Sequence, residues 1–251
     1  VVKAAFGGLG ANWMNPALGG LAFSYLNWPV AMRDFVLPRF ITGVDGVSAS
    51  TPMAFAKGLS QLASGGVMET IASAGYPISV VDKNITGFLN EAVFENLGAR
   101  LPEGYIDLAI GLKPGALGEC GLVLILLGSL FLLAKRIIKM EIPLAMIGSF
   151  ALLSRLFGTG LPGEYLFAGD ALYALSGGGF MVAAFYSACD PVTSPVSKKL
   201  AVLYGLGIGS LCYVFRRFGS YTEGAAFAIM LANMAVPFME RRLSLPRMGS
   251  R

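Results

Sequence analysis

Residues able to do chemistry are few in this chain, and they fall in short clusters. Asn12 and Asn15 stand beside Pro16. A helix starting there presents unpaired N–H groups and the positive end of its dipole, which suits an anion such as phosphate. Simple N-capping by Asn15 ahead of Pro16 explains the same spacing. Glu119, Asp170, Asp190 and Glu223 lie at the ends of apolar runs or just inside them. Ionisable groups at membrane depth mark ion paths by default, although a carboxylate at a span end can equally stay wet or cap a helix. Asp190 stands out, because Pro191, Thr193 and Ser194 follow it. Hydroxyl and carboxylate oxygens suit a hard cation, and the competing reading is a turn capped through Thr193. Finally, Ser48, Ser50 and Thr51 form a hydroxyl cluster between Asp45–Gly46 and Pro52. Spacing alone favours a Ser/Thr cap opening a helix at Pro52.

Two absences narrow the chemistry further. The chain has no histidine and three cysteines, Cys120, Cys189 and Cys212. Histidine-ligated haem or zinc and a His-based triad are therefore excluded within this chain. No CxxC pair occurs, and a cluster needs four cysteine ligands, so only a site shared with a partner could use these thiols. Buried apolar thiols are the plainer reading.

The elements that position these residues follow from composition. Of 251 residues, 55% are hydrophobic and 14% charged, with a mean hydropathy of +0.66. A soluble domain carries about 25% charged residues, so this surface is not built for water on all sides. The expected fold is an all-α polytopic membrane protein with broken or re-entrant segments, a long outward-facing loop and two related repeats. Five apolar runs read as spans: 117–134, 142–158, 171–189 (carrying Gly177–Gly179), 200–215 and 224–239. Lys135, Arg136, Lys139, Lys198, Lys199, Arg241 and Arg242 collect on alternate connections and on the tail. The positive-inside rule puts those on the cytoplasmic face. The net charge of +4 is dispersed, without the basic stripe a nucleic-acid partner needs.

The resulting organisation has four parts. Residues 1–33 hold a proline-bounded broken membrane segment. Residues 34–116 form an outward loop region with helical pieces near 52–63 and 84–97. Residues 117–240 form a five-helix bundle, and 241–251 a basic cytoplasmic tail. Gly19–Gly20 before Pro29–Val30 echoes Gly178–Gly179 before Pro191–Val192, a hint of repeated broken helices. The chain opens on Val1 inside an apolar, glycine-rich stretch and reads as a piece of a longer membrane domain.

Six stretches together resemble the Nqr-B/Rnf-D family of membrane subunits from ion-pumping redox complexes. They are FGGLG from Phe6 with Asn12, then Asn15-Pro16-Ala17, DGVSASTP from Asp45 to Pro52, KPGALGE from Lys113 to Glu119, DPVTSP from Asp190 to Pro195, and RFGSYTEGAAFAIMLAN from Arg217 to Asn233. The last two are more similar to the Rnf D-type protein than to the Nqr B-type protein. In that family further helices precede the FGGLG stretch. The resemblance implies FMN joined through its phosphate to a threonine hydroxyl, here Thr51, with Asp45, Ser48 and Ser50 around it. Ala49 and Ser50 stand where the family commonly has glycine and alanine, which makes Ser50 an alternative acceptor. A phosphoester calls for an exposed hydroxyl that a separate enzyme can reach, and the glycine-flanked loop would supply it. Asn12 and Asn15 would suit a phosphate or a reduced flavin, and a non-covalent riboflavin is a second implied cofactor.

The implied function is a relay station. The subunit would pass electrons between partners while the complex couples ferredoxin (or flavodoxin) and NAD chemistry to Na⁺ or H⁺ movement. Partners would be a flavin-bearing G-type subunit, membrane A- and E-type subunits and cytoplasmic iron–sulfur B- and C-type subunits. The location would be a bacterial or archaeal cytoplasmic membrane, with the flavin loop outside. The chain would be part of a translocase and not a complete enzyme. Alternatives are an Nqr B-type subunit, or a non-redox channel or secondary transporter, which broken helices fit equally well but which has no use for an acceptor loop.

Overall fold

The computed structural model describes residues 2, 12–38, 41, 46–59, 66–116, 118–158, 167, 169–219 and 224–243. Among them helices dominate, as expected. The strands are one short antiparallel pair, Phe35–Val36 (β1) and Ser48–Ala49 (β2), with Phe35 opposite Ala49. The helices are α1 Pro16–Asn27, α2 Pro52–Gly58, α3 Val67–Ser73, α4 Val80–Leu89 and α5 Tyr105–Ile110. They continue as α6 Leu122–Ala134, α7 Glu141–Phe157, α8 Ala171–Ser176, α9 Phe180–Val182, α10 Lys198–Phe218 and α11 Ala225–Leu243.

These elements form two compact units. One comprises Val1–Pro29, Ser129–Phe150 and Ala183–Arg251; the other comprises Val30–Gly128 and Ala151–Val182. The boundary falls within α6 and α7, so the segment 117–240 runs through both units.

In unit one, α10 buries Leu200, Ala201, Tyr204, Ile208 and Cys212, and α11 buries Ala225, Ala228, Ile229, Ala232 and Val236. Both sets recur every three to four residues, the period that puts side chains on one helix face. Gly205 lets α7 come close, because a Cβ there would meet the Ile142 carbonyl at 2.6 Å. The other face of α10 leaves Val202, Leu203, Leu206 and Val214 exposed. Helix α6 does the same with Leu124, Leu127, Leu130 and Phe131. Apolar side chains turned outward on this scale call for lipid or a partner, not water. Among the described residues α10 alone is both long and apolar enough to cross a bilayer by itself, and α6 is apolar but 13 residues long.

Unit two has helices where helical pieces were expected near 52–63 and 84–97, namely α2 and α4, and adds α3 and α5. The described residues of 34–116 include helices α2 to α5, and α2, α3 and α5 with α8 supply a core of Met53, Ala56, Val67, Met68, Ile71, Tyr105, Leu108 and Tyr173. Helix α3 escaped the sequence reading because its apolar stripe, Val67, Met68 and Ile71, spans barely more than one turn. The run expected to start at 117 becomes helical only at Leu122. The segment before it folds back, and a Cβ on Gly111 (φ +99°) would meet the Cys120 backbone at 2.8 Å. The expected span 171–189 is split. It stops at Ser176, passes Gly178 at φ +86°, and resumes as α9 and a π-helical turn, Ala183–Ser187.

Candidate functional site

Unit one holds a cleft of about 460 Å³ into which Asn12, Asn15, Tyr186, Cys189 and Asp190 face, with Leu132, Ile137 and Phe185 among its apolar walls. Two clusters far apart in sequence thus meet. The volume lies in the range of small-molecule sites.

Each polar residue there has a distinct state. Asn15 is buried, and its Oδ1 accepts from the Ala17 N–H at 3.0 Å and the Leu18 N–H at 3.4 Å. Its Nδ2 donates to the Ser187 carbonyl at 3.4 Å. This is the N-cap of α1, as the Asn–Pro pair suggested. The N–H groups that were to receive an anion are therefore taken by the cap. Asn12 differs, because its Oδ1 is buried and has no hydrogen-bond partner among the described residues. A buried acceptor without a donor costs about 1–3 kcal/mol. Asp190 accepts from Thr193 Oγ1 at 3.0 Å and the Val192 N–H at 3.4 Å, and its carbonyl accepts the Ser194 N–H at 3.0 Å. The turn cap through Thr193 is thus present, at the edge of the cleft.

The hydroxyl cluster lies in unit two. Ser48 and Ser50 are exposed, Ser48 on β2. Thr51 is 7% exposed. Its Oγ1 caps α2 by accepting the Ala54 N–H at 3.2 Å, with Pro52 opening the helix. The expectation of a freely exposed Thr51 hydroxyl does not hold. The cap signalled by Thr-Pro spacing prevails, because Met53 and Ala56 draw α2 into the core. Tyr76 Oη donates to the Ser50 carbonyl at 3.4 Å and its ring packs on Phe55, 5.1 Å between centroids. Asp45 lies outside the described residues.

The remaining carboxylates separate. Asp170 caps α8 through the Tyr173 N–H at 2.9 Å and accepts the Tyr105 hydroxyl. Glu119 is half-buried and lies against Gly179. Glu223 is outside the described residues.

Comparison with known proteins adds what geometry alone does not. The NQR2, RnfD, RnfE family matches residues 1–249. This chain belongs to that family. It is 32% identical over 253 residues to the D component of the proton-translocating ferredoxin:NAD(+) oxidoreductase complex of Clostridium ljungdahlii, covering 100% of this chain and 66% of the relative. It is 32% identical over 242 residues to the D component of an ion-translocating oxidoreductase complex of Stutzerimonas stutzeri, covering 95% and 64%. Against the D component of the Na(+)-translocating ferredoxin:NAD(+) oxidoreductase complex of Acetobacterium woodii, identity is 30% over 243 residues, covering 96% and 60%. The chain therefore spans under two thirds of the length of these relatives. As a member of the NQR2, RnfD, RnfE family with outward-facing apolar helices, it is a membrane protein.

Two residues of this family member were missed as site residues. Cys189 lines the cleft and donates from Sγ to the Ala184 carbonyl at 3.4 Å. Lys113 is 5% exposed, inside unit two. Lys113 opens the KPGALGE stretch and Cys189 directly precedes DPVTSP, but both acquire their place from residues brought in by the fold.

Proposed function

We propose that this chain is the membrane core of a D-type Rnf subunit, relaying electrons between partner subunits through two flavins. The complex would couple ferredoxin and NAD chemistry to Na⁺ or H⁺ movement, as the names of its relatives state for them. Flavins suit a relay because they take one or two electrons.

The observation that carries this reading is the unit-one cleft itself, whose wall includes Asn12, an amide whose oxygen has no donor among the described residues and reaches the cleft by a turn of the side chain. A flavin ring offers an imide N–H of matching chemistry. The apolar walls and the Phe185 and Tyr186 rings suit its flat body. Asn12 would fix orientation, Asn15 would hold the cleft edge through its cap, and the walls would keep water from the reduced ring. A plain channel has no need of such an acceptor.

The covalent FMN belongs to Thr51 on this reading. The hydroxyl chemistry fits, and exposed Ser48 and Ser50 leave the approach open. Access is the constraint. The first turn of α2 must open to release Thr51 from the Ala54 N–H, so attachment precedes closure of that turn or proceeds through its opening. The partners remain those the D-type reading implies: G-type, A- and E-type membrane, and B- and C-type iron–sulfur subunits.

The test uses the purified complex with the full-length protein. Asn12→Leu should lower the flavin extracted by mild denaturation at least several-fold while the fluorescent band from covalent flavin on this protein persists. Wild-type levels of extractable flavin in assembled Asn12→Leu complex would refute the cleft assignment.

A further inference from the structure

Unit two contains a buried ammonium that the flavin reading does not use. Lys113 Nζ donates to the carbonyl of Ser176 at 2.7 Å, and the residue is 5% exposed. Ser176 is the last residue of α8, where the chain breaks through Gly177–Gly179. The final carbonyls of a helix lack intrahelical partners and carry the negative end of its dipole. Others in this turn are served locally: Ser176 Oγ donates to the Leu172 carbonyl at 2.7 Å and the Gly177 N–H to the Tyr173 carbonyl at 2.7 Å. The Ser176 carbonyl instead receives a charge from 63 residues away.

A second group converges on the same break. The Glu119 carboxylate lies so close to Gly179 that any Cβ there would collide with it. Lys113 and Glu119 come from one stretch, KPGALGE, whose fold is closed by Cys120 Sγ donating back to the Lys113 carbonyl at 3.6 Å. A helix C-terminal carbonyl, a glycine-unwound backbone and a carboxylate are the oxygen donors with which broken membrane helices hold small cations. Here an ammonium already lies on the carbonyl.

We propose that the Gly177–Gly179 break is a monovalent-cation site whose resident cation is the Lys113 ammonium, with the Ser176 carbonyl and the Glu119 carboxylate as its oxygen donors. The side chain acts as a tethered cation. It balances the site without a dissolved ion, and a small cation such as Na⁺ takes its place when the ammonium is removed. Lysine suits this role because its head is a compact point charge on a flexible stem.

Cys120 supplies a local readout that does not depend on flavin content. It is half-buried beside Lys113, whereas Cys189 and Cys212 are buried and serve as internal references. The experiment follows N-ethylmaleimide labelling of Cys120 by mass spectrometry in the purified full-length complex, in Na⁺ and in choline. Wild type should label at one rate in both. Lys113→Ala should label several-fold faster in choline and return toward the wild-type rate with saturating Na⁺. Lys113→Arg, which keeps the charge on a larger head, should show no dependence on Na⁺. The double variant Lys113→Ala with Glu119→Gln should label fast in both salts, since a donor is gone. Lys113→Met, which keeps the packing of the stem, is scored as Lys113→Ala is and stands in for it if the alanine variant does not assemble. Equal rates in Na⁺ and choline for these neutral variants, or wild-type protection of either in choline, would overturn the proposal.

Discussion

Asp82 and Asp107 exchange helix caps. Each is in the first turn of its own helix, α4 and α5, and each carboxylate reaches the start of the other's helix. Asp107 accepts the N–H of Ser79, the N-cap of α4, at 2.8 Å, together with the Ser79 hydroxyl. Asp82 accepts the N–H of Gly104, the N-cap of α5, at 2.7 Å, the Asp107 N–H at 2.8 Å and the Thr86 hydroxyl at 3.1 Å. In an ordinary capping box the acidic residue at the third position reaches back to its own cap. Here the two boxes are swapped, which ties α4 to α5 and so frames the wall on which Tyr105 and Leu108 enter the core.

The exchange is chemically unequal, and this gives a prediction. Asp82 faces only donors, three of them, so an amide placed there sets N–H against N–H. Asp107 meets one N–H and one hydroxyl, and the hydroxyl can reverse its direction to accept from an amide. Asp82→Asn should therefore cost roughly 1–3 kcal/mol, whereas Asp107→Asn should stay within about 1 kcal/mol of wild type. Hydrogen exchange of the peptide covering 79–110, measured in the assembled complex, separates the two. Equal acceleration in both variants would be the wrong outcome.

A pH dependence follows from the same pair. Burial raises the Asp107 carboxyl above its ordinary value and the nearby Asp82 charge adds to this, while the Ser79 hydrogen bonds oppose it. The folded state thus binds its proton at higher pH than the unfolded state. The stability Asp107 contributes is fully present below the ordinary carboxylate value and is lost as pH rises through the raised one. Acidification from neutrality toward that ordinary range should protect the 79–110 peptide in wild type relative to Asp107→Asn. A difference between the two proteins that does not change with pH would contradict this.

How much of this could be read in the chain depends on the reach of each contact. Asn15 and Thr51 cap helices through N–H groups two or three residues on, and the following prolines announce both. The glycine triplet at 177–179 announces the break that the structure shows. Asp82 and Asp107 gave no such signal, because their partners lie 22 to 28 residues away and only the fold pairs them. The same holds for Lys113; Asn12 stands out by its place before the Asn–Pro pair, but its cleft, completed by residues from 185 to 192, was not readable there. Thr51 shows where local spacing and family likeness pull apart. Spacing favoured a cap, and the cap is there; the flavin reading must coexist with it.

Thr51 yields a prediction with two readouts. Thr51→Ala should remove the covalent FMN from this protein, seen as loss of the mass addition on the peptide spanning 45–57. It should also cost about 1 kcal/mol, because the N-cap bond to the Ala54 N–H disappears. Thr51→Ser should keep both the cap and the acceptor. Retained FMN mass on the alanine variant's peptide would exclude Thr51 and turn attention to exposed Ser50.

Sidedness can be tested with placed cysteines in an otherwise cysteine-free chain. Ala74 and Ser197 are both exposed, so neither is hidden by its own fold. The lysine and arginine bias puts Ser197 with Lys198 and Lys199 on the cytoplasmic side and the 34–116 region outside. A membrane-impermeant thiol reagent added to intact cells should label Ala74→Cys and spare Ser197→Cys. The opposite pattern would place the flavin loop in the cytoplasm.

The last prediction concerns coupling at Asp190. Its carboxylate is held by Thr193 and Val192, which accounts for its shape but not for the placement of a charge at the cleft edge. Ionisable groups within a membrane protein's spans face interiors and paths, and oxygen ligands here would include Thr193. Asp190→Asn preserves the turn, since the amide oxygen still accepts the Val192 N–H while the amide NH₂ donates to a reversed Thr193 hydroxyl, and it removes the charge. If Asp190 shares an ion path, the variant complex should assemble, keep both flavins and transfer fewer ions per electron, or respond differently to Na⁺. Loss of extractable flavin would instead make Asp190 part of the cleft's ligand contacts. Wild-type flavin content with unchanged ion-to-electron stoichiometry in reconstituted vesicles would leave Asp190 as a turn cap and end the ion-path reading.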